Sequence, residues 1–298
     1  MAELLRASFP AARIAAEYMP ESHSTEVYRV WRDDQVLYLR VLPEEGASFA
    51  PEAFVHAAAR KHGLHVPEVL YYEHNNALLQ RSVMLTTAIT GRAIGHVDRP
   101  PQAPQIVRQA GRELAMLNSI PVRGFGWIKR DQAYVDELRA ECDSYAAGLL
   151  PDMEPALATL TQLDLVSAYE ARAVRLAIDE ADALFGSEPA YLAHGDFDGT
   201  HIYHQDEHYT GMIDFGEIRG ANQLYDLGHF QIADAELLPD LLEGYADGVA
   251  LPADHMRRIR LSGLMTALRR LGRDVARARP VYAPDLPGVR RILVALET

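Results

Sequence analysis

The sequence predicts an α+β protein of two lobes, with an antiparallel sheet and one helix in the N-terminal lobe and a mostly helical C-terminal lobe. Along residues 13–89, the sequence predicts three strands, then one helix, then two further strands. Beyond residue 104, apolar residues recur at helical spacing. The 298 residues are enough for two lobes that each bury a core, and we place the lobe boundary between residues 91 and 92.

Three strands are predicted to open the N-terminal lobe, residues 1–91. Residues 13–18, 26–31 and 36–42 carry β-branched and aromatic side chains in partly alternating order. A polar turn at residues 32–35 joins the last two segments. An antiparallel meander of three strands is the simplest arrangement of these segments.

One helix and two strands complete this lobe. The helix is predicted over residues 51–61, because Pro51 suits a first helical turn and Gly63 lies just beyond the end. Strands are predicted at residues 69–72 and 82–89, on either side of an Asn-Asn turn. Residues 84–91 then lead out of the sheet, and we interpret them as the hinge between the lobes.

The C-terminal lobe, residues 92–298, begins with a proline-rich linker at residues 92–104. Helices are predicted at residues 166–185 and 256–275, and Gly186 ends the first of them. The helix that follows the linker has one apolar stripe, which is most simply part of the core. Its members are Ile106, Ala110, Leu114 and Leu117.

Two aspartates with apolar neighbours are the most informative feature of this lobe. His194-Gly195-Asp196 follows one apolar segment, and Ile213-Asp214-Phe215-Gly216 ends another. Strands at residues 202–204 and 209–213, joined by a polar turn, fold the chain back so that both aspartates face one cleft. Such a pair is what a kinase requires, since one carboxylate orients the acceptor hydroxyl and the other binds Mg²⁺.

These motifs resemble the aminoglycoside phosphotransferase family, together with Tyr225-Asp226-Leu227 and a ligand-type residue five positions after Asp196. That family has a protein-kinase-like fold and phosphorylates hydroxyl groups of small molecules. The resemblance therefore implies a bilobal, protein-kinase-like fold, with ATP or GTP and Mg²⁺ as cofactors. It covers residues 11–91 and, most specifically, residues 191–230.

The resemblance assigns roles within a catalytic loop, residues 191–204, and a metal-binding segment, residues 209–217. Asp196 matches the catalytic aspartate and Asp214 matches the metal-binding aspartate. His194 and Asp226 match positions that support the catalytic loop. These roles are expectations for the structure to place.

His201 is where the chain departs from the family pattern. The family usually has asparagine at this position as the second metal ligand. Mg²⁺ prefers oxygen ligands, and a neutral imidazole is a softer donor. Macrolide kinases of the same superfamily also carry histidine here, so we retain His201 as a metal ligand. This histidine favours macrolide-like or other acceptors somewhat more, and aminoglycosides somewhat less.

The nucleotide is expected to contact the N-terminal lobe. Arg40 occupies the place of the strand lysine that contacts phosphates, and a guanidinium can bind phosphate bidentately. Glu52, at the start of the predicted helix, is its expected partner. Ser24 lies in a loop without glycine that replaces the kinase glycine-rich turn, and the backbone at Ala88 and Ile89 is expected to pair with a purine.

Charge gives information about the acceptor. Residues 131–188 contain thirteen Asp and Glu residues against three Arg. A cationic small-molecule acceptor such as an aminoglycoside would be steered to this surface, whereas the alternative is an acidic exterior that is simply solvated. We expect the arginines of the helix near residues 257–279 to pair with these acidic faces. With a net charge of −13, nucleic acid is not an expected partner.

Location is bounded by what the sequence lacks. It contains no run of eighteen apolar residues, so neither a membrane span nor a membrane partner is expected. Cys142 is the only cysteine, which excludes a disulfide within the chain. A cytoplasmic location follows as the default expectation.

Two other classes of function stay open. The run of His and Asp residues from His194 to His208 is compatible with a metallohydrolase, although this leaves Asp214 and Asp226 unexplained. His204 and His208 are expected to be solvated residues flanking a turn, and Asp198 to be a turn-forming residue. A nucleotide-binding regulator without catalysis is the other alternative, motivated by the loop without glycine, Arg40 and His201.

Overall fold

A computed structural model describes residues 14–20, 25–277 and 285–297. Five antiparallel strands form the sheet of the N-terminal lobe, in the order β1-β2-β3-β5-β4. They are β1 (Ile14–Met19), β2 (Glu26–Arg32), β3 (Gln35–Val41), β4 (Val69–Glu73) and β5 (Val83–Thr87). The predicted succession of three strands, one helix and two strands along the chain is confirmed. Arg13, which we assigned to the first strand, lies outside the described residues.

Strand alternation determines which side chains of the N-terminal lobe face the site. Leu37, Leu39 and Val41 in β3 are buried in the small core of this sheet. Because side chains alternate across a strand, Arg40 lies on the opposite face. The predicted helix forms as α1 (Ala50–Lys61), with proline in its first turn and Gly63 at φ +83° beyond its end.

Eight helices lie in the described part of the C-terminal lobe. They are α2 (Ala103–Leu117), α3 (Tyr145–Leu149), α4 (Met153–Gln162), α5 (Ala168–Phe185), α6 (Tyr225–Asp234), α7 (Leu238–Ala246), α8 (His255–Ala276) and α9 (Asp285–Glu297). The four apolar stripe residues of α2 are all buried in the main core, as predicted. Helix α5 begins with a Ser167–Glu170 capping box and has Gly186 as its C-cap.

Two sheets that lie between these helices extend what the sequence predicted. Strands β7 (Pro121–Val122), β8 (Phe125–Ile128), β9 (Ala140–Cys142), β10 (Ala190–Ala193) and β13 (Arg219–Ala221) form one sheet, in the order β7-β10-β13-β8-β9. Strands β6 (Arg92–Ala93), β11 (Ile202–Gln205) and β12 (His208–Met212) form the other. Residues 92–104, predicted as a linker, therefore contain β6 and the start of α2.

The hairpin of β11 and β12 brings the two aspartates together. The strands pair antiparallel, from Ile202 opposite Met212 to Gln205 opposite His208. The turn residues Asp206 and Glu207 have φ of 48° and 68°, the left-handed pair that suits the twist of a two-residue hairpin loop. The chain thus returns to the catalytic loop just before Asp214, as predicted.

Candidate active site

Two buried carboxylates of α6 hold the catalytic loop from within the C-terminal lobe. Asp226 accepts hydrogen bonds from the backbone N–H groups of His194 at 2.8 Å and Gly195 at 2.9 Å, and from Asn118 Nδ2 at 2.8 Å. Asp234, at the other end of the helix, accepts from the backbone N–H of Gly199 at 2.7 Å. Charged acceptors on backbone donors form strong hydrogen bonds, so the loop around Asp196 is fixed in place.

Gly195 is required by the geometry of this loop. Its φ is +87°, a conformation that other residues rarely adopt. A Cβ at this position would overlap the carbonyl oxygen of Glu217. The glycine therefore allows the catalytic loop to pass directly against the segment that follows Asp214.

His194 connects the same two segments. Its Nε2 donates to the carbonyl oxygen of Ile213 at 2.9 Å, which leaves Nδ1 to accept from the backbone N–H of Asp196 at 3.4 Å. Burial lowers the pKa of His194, which keeps the ring neutral in this tautomer. The ring also lies 4.9 Å from that of Phe215, measured between centroids.

Asp196 faces open space with 38% of its side chain exposed. Its Oδ2 lies 3.9 Å from His201 Nε2, and its Oδ1 lies 3.3 Å from Nε2 of His229 on α6. A carboxylate that is exposed on one side and contacted by imidazoles on the other is positioned to accept a proton from a bound hydroxyl.

Asp214 is held in a left-handed conformation, at φ 67° and ψ 71°. Its Oδ1 accepts from the backbone N–H of Gly216 at 3.2 Å and lies 3.9 Å from Arg40 Nη2. Desolvation in the cleft acts to raise the pKa of Asp214, but the charge of Arg40, together with that of His201 whenever its ring is protonated, outweighs it and lowers the pKa. The Asp214 side chain is therefore a carboxylate anion at neutral pH.

His201 lies between the two aspartates. Its Nδ1 donates to the carbonyl oxygen of Asp196 at 2.6 Å, so a neutral ring presents the Nε2 lone pair to the cleft. That Nε2 lies 3.9 Å from Asp196 Oδ2 and 3.9 Å from Asp214 Oδ2. The donors of His201 and Asp214 therefore converge on one space, and they could hold a divalent cation.

A second group of ligand atoms involves a residue that the sequence reasoning missed. Asp196, Asp198 and His229 offer atoms within 4.8 Å of one another. However, Arg270 Nη1 lies 2.9 Å from His229 Nε2, and Thr200 donates to Asp198 Oδ1, so two of the three residues already have hydrogen-bond partners. They fit a cation less well than the His201 and Asp214 pair does. The three-residue spacing of Asp226 and His229 on α6 was the available signal, because it places both on one helix face.

The structure brings Arg40 and Glu52 together as an ion pair. Glu52 is 1% exposed, and Arg40 lies over the ring of Phe49, 5.2 Å from its centroid. Burial acts to lower the pKa of Arg40, but Glu52 and Asp214 raise it, so the guanidinium stays charged. Arg130 is a second partner of Glu52 that the sequence did not predict, with Nη2 3.1 Å from Glu52 Oε1.

The remaining predicted residues are less constrained. Ala88 and Ile89 are half-buried and directly follow β5, whereas Ser24 lies outside the described residues. Asp198 forms the expected turn, since its Oδ1 accepts from the backbone N–H of Thr200 at 2.8 Å. The expectation for His204 was wrong, because its ring is buried beneath the hairpin, while His208 is exposed as predicted.

Three acidic residues of the region 131–188 pair with late arginines, and two of those arginines lie on the helix near residues 257–279 where we expected such pairs. The pairs are Arg257 with Glu180, Arg258 with Glu188 and Arg290 with Glu170. This pairing reduces the acidic excess that was available to steer a cationic acceptor. In the described part of the chain, no helix is both long enough and apolar enough to cross a lipid bilayer.

Several solved structures have a fold similar to that of this chain. A thermostable mutant of aminoglycoside phosphotransferase APH(4)-Ia superposes with a TM-score of 0.68 at 16% identity, over 99% of both chains. A putative fructosamine-3-kinase from Thermobifida fusca gives 0.64 at 20% identity, over 99% of this chain and 98% of that one. Macrolide 2'-phosphotransferase MphH from Brachybacterium faecium gives 0.62 at 15%, over 98% and 96%. A search of curated sequences found no significant match.

The predicted α+β bilobal fold is confirmed, and the family model identifies the chain as a phosphotransferase with this kinase-like fold. The family model described as "Phosphotransferase enzyme family" matches residues 17–261. The chain belongs to that family.

Proposed function

We propose that this chain transfers the γ-phosphoryl group of ATP or GTP to a hydroxyl group of a small molecule. The observation that carries the proposal is the convergence of His201 Nε2 on the carboxylates of Asp196 and Asp214, 3.9 Å from each. It supports a proton acceptor and a metal ligand that share one cleft. Family membership and the nucleotide complexes of APH(4)-Ia, one with ADP and one with AMP-PNP, support the choice of donor.

In this mechanism Asp196 accepts a hydrogen bond from the acceptor hydroxyl and takes its proton as the acceptor oxygen bonds to the γ-phosphorus. The bond between that phosphorus and the β–γ bridging oxygen breaks, and ADP or GDP leaves. His201 and Asp214 would hold Mg²⁺, and a bound Mg²⁺ neutralises charge on the phosphate oxygens. Arg40, held by Glu52, lies on the side of the cleft formed by the N-terminal lobe and contacts the nucleotide phosphates. The backbone at Ala88 and Ile89 borders the purine, and Ser24 contacts phosphate. His194 and Asp226 keep the catalytic loop in place.

For the acceptor we propose an aminoglycoside-like molecule first, and a macrolide or another hydroxylated metabolite as the alternative. Similar folds include APH(4)-Ia, which was solved with hygromycin B, a macrolide 2'-phosphotransferase and fructosamine kinases. Several acidic residues of the region 131–188 have no arginine partner among the described residues, and these favour a cationic acceptor. We further propose a cytoplasmic location and no nucleic-acid partner, from the single cysteine and the net charge of −13.

The test is product formation with a panel of aminoglycosides, macrolides and fructosamine-type acceptors, each with ATP and with GTP. We expect phosphorylated product with wild-type protein, detected by mass spectrometry. Loss of a general base typically reduces the rate by about 10²- to 10⁴-fold, so Asp196→Ala should lose at least about 100-fold. Asp247→Ala, at an exposed aspartate that pairs with Arg112 outside both the site and the acidic region, is the matched control.

Two outcomes would contradict parts of this proposal. Turnover that survives Asp196→Ala would show that the base is another residue. Nucleotide binding without product from any acceptor would favour the regulator instead, and a tightly held transition metal in purified protein would favour a metallohydrolase.

A further inference from the structure

Glu52 receives an arginine from each lobe. Arg40, on β3 of the N-terminal lobe, contacts Glu52 Oε2, and Arg130, in the loop after β8 of the C-terminal lobe, lies 3.1 Å from Oε1. The two oxygens of one carboxylate, 1% exposed, are therefore divided between the lobes. Arg40 is the residue that we assign to the nucleotide phosphates, whereas Arg130 has no assigned role.

Arg130 also contacts the segment that carries Asp214. The same Nη2 that faces Glu52 donates to the carbonyl oxygen of Gly216 at 2.6 Å. The backbone near Arg130 is tied to that segment as well, because the Ile128 N–H donates to the carbonyl oxygen of Ile218 at 3.4 Å. One guanidinium thus joins the buried carboxylate of α1 to the backbone two residues beyond Asp214.

A second contact fixes the same loop to the N-terminal lobe. Tyr72 on β4 donates its hydroxyl to the carbonyl oxygen of Ala133 at 2.9 Å. The Tyr72 hydroxyl also lies 2.7 Å from Ser48 Oγ, which accepts from the backbone N–H of Ala50 at the start of α1. We call residues 129–133 the interlobe strap, since they contact the N-terminal lobe through both Arg130 and Ala133.

The buried negative charge of Glu52 indicates a function for the interlobe strap. If Arg40 were the only partner, its movement toward a nucleotide phosphate would leave a buried carboxylate unpaired, which is strongly unfavourable. Arg130 approaches the other oxygen, so it stays in contact when Arg40 moves. A guanidinium suits this position because its several N–H groups can serve Glu52 and the carbonyl oxygen of Gly216 together.

We propose that Arg130 is a positioning residue of the nucleotide site, which keeps Glu52 paired and Gly216 in place while Arg40 contacts phosphate. This role rests on the proposed function, because it requires a nucleotide in the cleft. Arg130 acts through Glu52 and the Asp214 segment and does not itself touch the substrate.

The experiment measures the Kd of Mg²⁺–AMP-PNP by calorimetry for wild-type protein, Arg130→Met, Glu52→Gln and the double variant. Arg139→Met is the matched control, an exposed arginine in the same loop that pairs only locally with Glu137. We expect Arg130→Met to raise the Kd about tenfold, and the double variant to bind about as weakly as Glu52→Gln alone, since contacting residues couple. Arg139→Met should bind like wild type.

Further measurements separate positioning from stability. Arg130→Lys retains the charge on a shorter side chain, so its ammonium group should meet Glu52 and Gly216 at longer distances, and its Kd should lie between those of wild type and Arg130→Met. This variant also serves if Arg130→Met does not fold. With a competent acceptor, the KM for nucleotide should rise more than kcat falls.

Several outcomes would overturn the role. A Kd for Arg130→Met within twofold of wild type would do so, as would effects of Arg130→Met and Glu52→Gln that multiply in the double variant. Both results leave the proposed function standing. Wild-type protein that binds no nucleotide would overturn the proposed function and this role with it.

Discussion

The loop that carries Asp196 and the segment that carries Asp214 are held by different means. Asp226 and Asp234, buried carboxylates of one helix in the C-terminal lobe, accept hydrogen bonds from the backbone of the catalytic loop. The Asp214 segment is held from the side by arginines, Arg40 from the N-terminal lobe and Arg130 at Gly216. The first region therefore depends on one lobe and the second on both.

The proposed mechanism has two parts, proton acceptance by Asp196 and metal binding by Asp214, and these parts depend on different supports. The carboxylates that hold the proposed base lie in the C-terminal lobe, so its position depends less on how the lobes are oriented. The proposed metal ligand Asp214 lies 3.9 Å from Arg40 of the N-terminal lobe, so we expect binding of a cation and a nucleotide to depend on how the lobes are oriented. Variants of each region should therefore fail in different ways.

Asp226→Asn removes a carboxylate that supports the catalytic loop, and it should have the largest effect. An asparagine NH₂ group would point toward the donors of His194, Gly195 or Asn118, and a buried donor without an acceptor costs about 1–3 kcal/mol. We expect turnover to fall at least about 100-fold, with a lower melting temperature. Steady-state kinetics and thermal melting measure both.

Asp247→Asn is the control for that change, because this aspartate is exposed and pairs only with Arg112 at the surface. It should melt and turn over like wild type. Near-normal turnover by Asp226→Asn would show that the catalytic loop does not depend on this carboxylate.

His201→Asn tests the boundary between the two regions and should have an intermediate effect. The imidazole Nε2 lies 3.9 Å from both aspartates, and asparagine would replace it with the oxygen donor that Mg²⁺ prefers. We expect the Mg²⁺ concentration for half-maximal turnover to fall by up to about tenfold, with a reduced preference for Mn²⁺. Turnover as a function of each metal is the measurement.

His208→Asn, at an exposed histidine of the hairpin turn, is the control. A metal dependence that is the same in His201→Asn and wild type would remove His201 from the metal site. The second group of ligand atoms, which includes His229, would then be the better candidate.

Short motifs and element order made much of this arrangement predictable. Asp196, Asp214 and Asp226 were found because each lies in a motif whose neighbours are consecutive in the chain. Arg40 and Glu52 were paired from the order of strand and helix, and the structure places them in contact. The stripe of α2 was predictable because helical periodicity repeats over several turns.

Long-range contacts were not predictable in this way. Arg130 lies 78 positions from Glu52, in a loop with no periodic pattern, so nothing local indicates its partner. The C-terminal strands β7 and β13 have two and three residues, too few to show alternation. His204 was expected in solvent because it is polar and near a turn, but its strand β11 is covered on that face by the core.

His56 provides the mildest test, through the apolar contact between α1 and the Asp214 segment. Its ring packs on Phe215 at 4.9 Å between centroids, and its Nδ1 donates to the carbonyl oxygen of Pro67 at 2.8 Å. Burial lowers the pKa of His56 from 6.5 to about 4. The unfolded chain therefore binds more protons between these values, so this contribution to stability is complete above pH 6.5 and is lost as the pH falls toward 4.

His56→Asn should remove that pH dependence while keeping a donor for Pro67. Between pH 7.0 and 5.5, the free energy of unfolding should fall about 1 kcal/mol less in the variant than in wild type. Urea denaturation at the two pH values measures this difference, and turnover at pH 7 should change little. His208→Asn, which removes an exposed imidazole, should follow the wild-type slope. Equal slopes for His56→Asn and wild type would mean that burial against Phe215 does not hold His56 neutral.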